Sequence, residues 1–471
     1  MISLLQGMQG MGGGPEMRMA RDLALIAPEI AVLLTAVGAL VFEMLRLPKV
    51  ALPFTVVGLL AATALALPLL GTETTAFMDT FRVGPLGVWA KLALLPATAL
   101  CALLARAEVR GTDREGTVYA LLSFTALGAL ALAGAGDVMF LVLGVLLSSL
   151  GSFALVAYPR DERSTEAAMK YFVFGSVTGA VMIFGLTHWF GATSSTLLSE
   201  LGRLEGAPLA AAFGLVAVAA GLGYKAAIAP FHFWAPDAYD GAPVSVAAFL
   251  SVVPKVGALF GLAQVARDLP AGTGWPLVLA ALAALSMTYG NLAALAQENV
   301  VRLLAYSSIA QSGYFLLGVV AVGQSDLAVP ALVVFAAAYA AMNLGAFAVV
   351  VRTGRRLGDL AGLGYESPWT GAAMVVFLIS LVGIPPLAGF FGKLLLFGAA
   401  IDAGFVWLAV VGILNSVLSL GVYLRVVVPM YRRQKLVAAR PAPVARGVQA
   451  AALALTLGIG LLAQIFFGGG G

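Results

Sequence analysis

Residues 222–256 read LGYKAAIAPFHFWAPDAYDGAPVSVAAFLSVVPKV. From Pro243 the chain stays apolar to Val265, and Lys255 lies about ten residues from either end of that run. The run is of membrane length and has no two-residue alternation, so it reads as a spanning helix and not as a barrel strand. A cation at the centre of such a helix costs several kcal/mol, and it persists where it faces a wet cavity or a partner. Upstream, Lys225 sits five residues before Pro230. Proline removes a helical hydrogen bond and clashes with the preceding turn. In lipid the carbonyls so freed need water or protein partners. A broken helix beside a lysine therefore predicts a hydrated pocket at mid-membrane depth.

The rest of the chain is of the same material. Of 471 residues, 61% are hydrophobic and 11% charged, with mean hydropathy +0.99. A soluble domain is about half apolar and about a quarter charged. The composition excludes an ordinary globular enzyme, a disordered chain and a nucleic-acid binder. It leaves an all-α polytopic membrane protein. Fourteen apolar stretches run near 22–45, 50–70, 86–105, 117–136, 138–158, 167–190, 207–229, 243–265, 275–296, 301–323, 327–350, 370–400, 404–430 and 447–467. The longest polar stretches, 191–206, 351–369 and 432–446, are loops, so no separate soluble domain is expected. A single cysteine, Cys101, excludes an intramolecular disulfide, and no CxxC is present to hold an iron–sulfur cluster or zinc. Two histidines, His188 and His232, leave little to hold haem, and there is no GxxxxGK[ST] loop for ATP. The start, Met1 to Arg21, lacks the basic-then-apolar order of a signal peptide, so the first span is expected to insert uncleaved.

The net charge of +4 serves mainly to orient the chain. Loops after odd-numbered spans hold 16 Lys and Arg: Arg46, Lys49, Arg106, Arg110, Arg114, Arg160, Arg163, Arg302, Arg352, Arg355, Arg356, Arg432, Arg433, Lys435, Arg440 and Arg446. The opposite side holds 5: Arg18, Arg21, Arg82, Arg203 and Arg267. The positive-inside rule then places odd loops in the cytoplasm and both termini on the non-cytoplasmic side. Two termini on one side require an even number of spans, as counted.

Six cations remain in or at the edges of spans: Lys91, Lys170, Lys225, Lys255, Lys393 and Arg425. Lys91, Lys170 and Arg425 are near helix ends and are expected to snorkel to the headgroups. Lys393, in LVGIPPLAGFFGKLLLF, follows Pro385 and Pro386 as Lys225 precedes Pro230. Loss of water disfavours an ammonium, so lysines held in hydrocarbon are candidate proton carriers. The two breaks fall in spans seven and twelve. An offset of five spans puts matching elements in opposite orientation, the pattern of inverted-topology repeats with the site at their interface. This divides the chain into residues 1–116 (spans one to three), 117–266 (first repeat, spans four to eight), 267–431 (second repeat, spans nine to thirteen) and 432–471 (cytoplasmic loop and last span).

Polar residues within spans extend the line. In LLAYSSIAQSGYFLLG, Ser308 and Gln311 are three apart and share a helix face, beside Tyr306, Ser307 and Ser312. Such groups order water without holding charge. They also serve as helix-packing contacts. His232, two residues past Pro230, is either a titratable group near neutral pH or a satisfied loop histidine. His188, beside Trp189, suits the membrane interface. Asp237 and Asp240 read as turn and capping residues for helix eight.

KAAIAPFHFWAPDAYDGAPVSVAAFLSVVPK, EAAMKYFVFGS, NLAALAQENVVRLLAYSSIAQSGY and LVGIPPLAGFFGKLLLF together resemble the subunit N family of NADH-quinone oxidoreductase. That family is one of three antiporter-like membrane subunits of respiratory complex I. The resemblance covers roughly residues 25–430, and the stretch 222–256 is highly specific. Lys255 directly after PVSVAAFLSVVP is similar to subunit N. The sister subunits and the Mrp-type cation/proton antiporters usually have a histidine-containing stretch there. The resemblance implies fourteen helices, two inverted five-helix repeats and a bacterial inner-membrane location. It implies proton translocation driven at a distance by NADH oxidation and quinone reduction. NADH, FMN, iron–sulfur clusters and quinone would belong to partner subunits, with no cofactor or metal on this chain. The implied partners are other membrane subunits, sister antiporter-like subunits among them, with lipid and protons and no nucleic acid. Lys225, Lys255 and Lys393 match the family's lysines in helices seven, eight and twelve, and relatives often carry a histidine at the position of Gln311.

One departure stands out. The family usually has a glutamate in helix five, in a LGLELLSLPLYAL-like stretch, where this chain reads LGVLLSSLGSFAL from Leu143 to Leu155 and places Leu146. No carboxylate lies near the centre of any span: Glu29 and Glu43 are near the ends of the first, and Asp137 is in a short loop. Three accounts stay open: a carboxylate from a neighbouring subunit, pumping by lysines, serines and water alone, or a spacer that has lost pumping. The expected relay is Lys225, Lys255, Gln311 with ordered water, then Lys393, with His232 secondary. A cytoplasmic half-channel would reach Lys225 through the helix-seven break, and the direction is implied by the resemblance alone. The rivals are an Mrp-type antiporter subunit, a non-pumping structural subunit, and the same subunit in a ferredoxin-driven or hydrogenase-linked relative.

Overall fold

The computed structural model describes residues 15–112, 114–432 and 442–468. The apolar runs become helices: α1 Pro15–Leu25, α2 Ala27–Met44, α3 Pro48–Ala66, α4 Pro85–Val109, α5 Glu115–Ala133, α6 Val138–Val156, α7 Glu162–Thr193, α8 Pro208–Lys225 and α9 Trp234–Gly241. They continue as α10 Val244–Asp268, α11 Trp275–Leu295, α12 Val300–Val320, α13 Ala328–Thr353, α14 Leu363–Glu366, α15 Pro368–Val382, α16 Ala388–Asp402, α17 Val406–Met430 and α18 Pro443–Gly468. Many open on proline, whose missing N–H is no loss in the first turn. Others open on side-chain caps. Asp137 accepts from the Met139 amide, Asp161 and Ser164 form a reciprocal box, and Asn299 accepts from the amides of Val301 and Arg302.

Among the described residues, 13 helices are long and apolar enough to cross a membrane. The predicted span 370–400 is α15 and α16, interrupted between Gly383 and Leu387. With those halves joined, the crossings number the fourteen expected. The predicted span 207–229 ends earlier, at Lys225, and resumes after a break as the short α9. Both breaks contain a cis X–Pro bond, at Ala229–Pro230 and Pro385–Pro386.

One element was not expected. A hairpin of β1 Thr74–Ala76 and β2 Phe81–Val83 pairs antiparallel, Thr75 opposite Arg82, in the loop after α3. Its turn residues Phe77, Met78 and Asp79 take the left-handed conformation. Phe81 packs inward, and Arg82 pairs with Asp268 at the end of α10 at 2.6 Å. A β-branched and aromatic run gives this local preference, but it was hidden within a short loop.

The interior is not shared equally. The apolar window of α10 is 100% buried and that of α12 is 94% buried, against 33% for α3 and 28% for α7. The helices that carry Lys255 and Gln311 therefore form the axis, and the rest surround them. Close approach is set by small residues: a Cβ on Gly257 of α10 would come within 2.7 Å of Ala129 Cα on α5.

Two cations differ from the sequence reading. Lys91 does not snorkel. It is 1% exposed, pairs with Glu29 of α2 at 3.0 Å and lies 5.5 Å from the Phe81 ring centroid. Interhelical packing and the hairpin supply the partner that headgroups would have supplied. Arg352 is not a loop residue but lies buried in the last turn of α13. Lys170 does reach the surface, and Arg425 donates from Nη1 to the Leu295 carbonyl. The orienting residues Arg433, Lys435 and Arg440, and the start Met1 to Gly14, lie outside the described residues.

Removing one partner of a buried ion pair strands the other charge, at a cost of about 3–5 kcal/mol. Lys91→Met is thus expected to lower the thermal midpoint of the purified protein in detergent. Adding Glu29→Gln to it should recover most of the loss. A double variant no better than the single one would show that the pair contributes nothing.

Candidate functional site

Each break leaves backbone groups that the neighbouring helices satisfy. At the first, Trp234 Nε1 donates to the Tyr224 carbonyl at 2.8 Å and Ser312 Oγ donates to the Ala226 carbonyl at 2.7 Å. The Ala229 amide donates to Ser286 Oγ at 3.0 Å. Lys225, the last residue of α8, is 1% exposed. Its Nζ donates to Ser149 Oγ at 3.2 Å, Tyr171 Oη at 3.3 Å and Ser152 Oγ at 3.5 Å.

The second break repeats the logic. The Leu381 carbonyl accepts from Gln311 Nε2 at 3.2 Å, and the Val382 carbonyl from Lys393 Nζ at 3.0 Å. Lys393 also donates to Ser416 Oγ at 3.1 Å, and its Nζ stands 3.8 Å from the Tyr314 ring centroid, a cation–π contact. Gly383 is required here. Its φ is +95°, and a Cβ would meet Lys393 Cδ at 3.0 Å.

Lys255 is fully buried on α10, and its Nζ donates to Ser308 O at 2.8 Å and Ser308 Oγ at 2.5 Å. Beside it on α12, Ser307 Oγ meets Tyr423 Oη at 2.7 Å, and Gln311 Nε2 donates to the same hydroxyl at 3.3 Å. Tyr239 Oη lies 3.4 Å from Ser308 Oγ. Two sets of polar groups thus lie along α12: Ser308 at the Lys255 amine, and Ser307 with Gln311 at Tyr423, Gln311 also reaching the second break. Gln311 Oε1 is buried with no hydrogen-bond partner among the described residues.

The structure brings Lys255 to Ser308 and brings Gln311 and Ser307 to Tyr423, with no hydrogen bond joining the two sets among the described residues. Lys225 and Lys393 flank them, each with its own polar neighbours and without a direct bond to Lys255. His232 is buried in the first break against Tyr289 and Phe233, its Nδ1 without a partner, within electrostatic reach of Lys255. None of Lys225, Lys255 and Lys393 enters an ion pair among the described residues. Leu146 is 47% exposed on the outer side of α6. Ser149, one turn on, and Ser152 after it face the amine instead, so neutral hydroxyls hold Lys225.

The two aspartates are not caps for α10. Asp237 lies within α9 and accepts from Arg302 at 2.6 Å and Lys170 at 3.0 Å. Asp240 pairs with Arg163 and accepts from Asn299 Nδ2 at 2.6 Å. The cap of α10 is Glu108, at the end of α4, which accepts from the Val244 amide at 3.0 Å and the Ser245 amide at 2.7 Å. It lies more than 130 residues away in sequence, so no local spacing signals it. Tyr171 and Tyr423 were missed for the same reason, although a tyrosine inside an apolar run is a usable signal, since a buried phenol needs a partner.

Residues 135–419, which hold both breaks and Lys225, Lys255 and Lys393, match the family described as "NADH:quinone oxidoreductase/Mrp antiporter, TM". NADH-quinone oxidoreductase subunit N of Mycobacterium sp. (strain JLS) is 42% identical over 403 residues, covering 83% of this chain and 86% of that protein. Subunit N of Desulfovibrio desulfuricans is 40% identical over 442 residues, covering 87% of each. The chain belongs to the subunit N family of NADH-quinone oxidoreductase. Among solved structures, a chain of respiratory complex I from Thermus thermophilus, determined with bound aureothin, superposes with a TM-score of 0.82 at 34% identity, covering 92% of this chain and 97% of that one. In this subunit N family member the region outside the matched segment includes α1–α4, and there the Lys91–Glu29 pair resides.

Partial burial opposes ionisation of Asp237, but hydrogen bonds from Arg302 and Lys170 outweigh it and hold the carboxyl below the usual carboxylate range. Its bridge between α7, α9 and α12 is therefore present at all pH values above about 4, the unfolded carboxyl value. It is lost only as pH falls through the lower folded value. Asp237→Asn should make the detergent-solubilised protein less stable at pH 7, with a smaller deficit at pH 3, as read by thermal melts. An equal deficit at both pH values would show that the charge is not what matters.

Proposed function

We propose that this chain is a proton-translocating membrane subunit of a bacterial NADH:quinone oxidoreductase and that the protons pass along Lys225, Lys255, Gln311 and Lys393. The observation that carries this reading is the environment of the three amines. Each is buried, and its hydrogen-bond and ring partners among the described residues are hydroxyls, carbonyls or an aromatic ring. Oxygen dipoles make an ammonium tolerable in a low dielectric, while a fixed carboxylate would hold it there. A lysine so placed can gain and lose its proton as neighbouring charge changes.

The residues between the amines supply the carriers. A hydroxyl both accepts and donates, so Ser308 can take a proton from the Lys255 ammonium on one lone pair and release its own on the other side. Ser307, Tyr423 and Gln311 continue that line to the carbonyls of the second break, where Lys393 receives the charge. Ordered water completes the path, with His232 in a secondary position at the first break. Inlet from the cytoplasm runs through the break beside Lys225 and outlet lies beyond Lys393. Both termini face away from the cytoplasm, the orientation that the bias of loop cations favours, 15 to 5 once the helical Arg352 is set aside. Spans four to eight and nine to thirteen act as two inverted units, residues 117–266 and 267–431, each with one break.

The oxidoreductase chemistry belongs to the assembly. NADH, FMN, iron–sulfur clusters and quinone are handled by partner subunits, and the single cysteine, Cys101, is buried in apolar packing. Subunit N relatives at 40% identity and above favour this reading over an Mrp-type antiporter. Leucine in place of the helix-five glutamate keeps the second reading, a structural subunit that does not conduct.

Lys255→Ala separates the two. In the assembled complex in vesicles it is expected to cut protons moved per NADH oxidised, as read by a pH-sensitive dye, while the complex still assembles. An assembled variant that pumps at the wild-type ratio would leave only the scaffold reading.

A further inference from the structure

Arg352 is 2% exposed in the last turn of α13, where that helix meets α15 and α18. Both side-chain hydrogen bonds leave from Nη1, to Thr370 Oγ1 at 3.1 Å and Gln449 Oε1 at 2.9 Å. Its Nε is buried with no acceptor among the described residues. No ion pair among the described residues includes it. Two neutral oxygens do not offset a guanidinium taken out of water. Nε belongs, with Nη2, to the edge on which arginine grips an oxyanion through two parallel bonds.

The surroundings point to what the anion is. Arg446, exposed in the first turns of α18, lies within electrostatic reach of Arg352. The start of α18 adds the positive end of a helix to the same junction. Trp369, at the start of α15 and next to Thr370, is 87% exposed, and Tyr365 is 54% exposed. Exposed Trp and Tyr at the end of a span mark headgroup depth. The segment 433–441 before α18 reads RQKLVAARP and contains no carboxylate, so it cannot supply the countercharge.

We infer that the junction of α13, α15 and α18 binds the phosphate of an anionic phospholipid. The Nε–Nη2 edge of Arg352 takes two phosphate oxygens, and Arg446 balances the charge from the rim. Basic pockets between spans at headgroup level suit such lipids. Free phosphate shares the chemistry, but the exposed aromatic rings favour a ligand whose chains continue into the bilayer.

The test uses the intact complex in bilayers containing phosphatidylglycerol with a photoactivatable headgroup, with labelled peptides located by mass spectrometry. Wild type should be labelled around residues 352, 369 and 446. Arg352→Gln should reduce that labelling about tenfold, the loss of roughly 1.4 kcal/mol of binding. Arg446→Gln, at an exposed position where folding is not at risk, should reduce it in the same direction. Unlabelled phosphatidylglycerol should chase the label, and millimolar inorganic phosphate should not. A chase by inorganic phosphate would keep the oxyanion site and overturn its assignment to lipid. Undiminished labelling in Arg446→Gln and Arg352→Gln, or no labelling of the wild-type junction because a neighbouring subunit covers it, would overturn the site.

Discussion

An ammonium in hydrocarbon must be given oxygen without being given a permanent countercharge. This constraint shapes the centre of the molecule. If Lys225, Lys255 and Lys393 had carboxylates fixed beside them, their charge would be locked in. If they had no polar neighbours, the charge could not form. The arrangement found lies between: serine and tyrosine hydroxyls at Lys225, a serine hydroxyl and carbonyl at Lys255, and a carbonyl, a serine and a tyrosine ring at Lys393.

The helix breaks serve that constraint. A continuous helix spends its carbonyls on itself, so it has none to offer a side chain. Interrupting α15 and α16 frees the Leu381 and Val382 carbonyls for Gln311 and Lys393. At the first break the Ala226 carbonyl goes to Ser312 on α12. The same α12 carries Ser308, bonded to Lys255. One interior helix thus touches both breaks and the central lysine, which explains why it is buried almost throughout. Lys91 shows the opposite solution. Paired with Glu29 at 3.0 Å, it is held as a fixed ion pair.

Much of this was legible in the residues. The span count, the two interruptions and the identity of the three central lysines follow from hydropathy, proline position and the cost of burying charge. The chemistry around those lysines was not legible. A glutamate expected in α6 is a leucine that points outward, and the groups facing Lys225 are Ser149, Ser152 and Tyr171, the last from another helix. Asp237 and Asp240 read locally as caps, yet they bind cations from two other helices, α7 and α12, while Glu108 does the capping from a distant one.

By itself the sequence determined what each segment had to be, because the length, apolarity and breaks of a spanning helix are local properties answered by the bilayer. Only the tertiary structure decided which polar groups meet. Side-chain partners in a membrane bundle come from helices far apart in the chain, and no periodicity within one span records which neighbour its buried face will find.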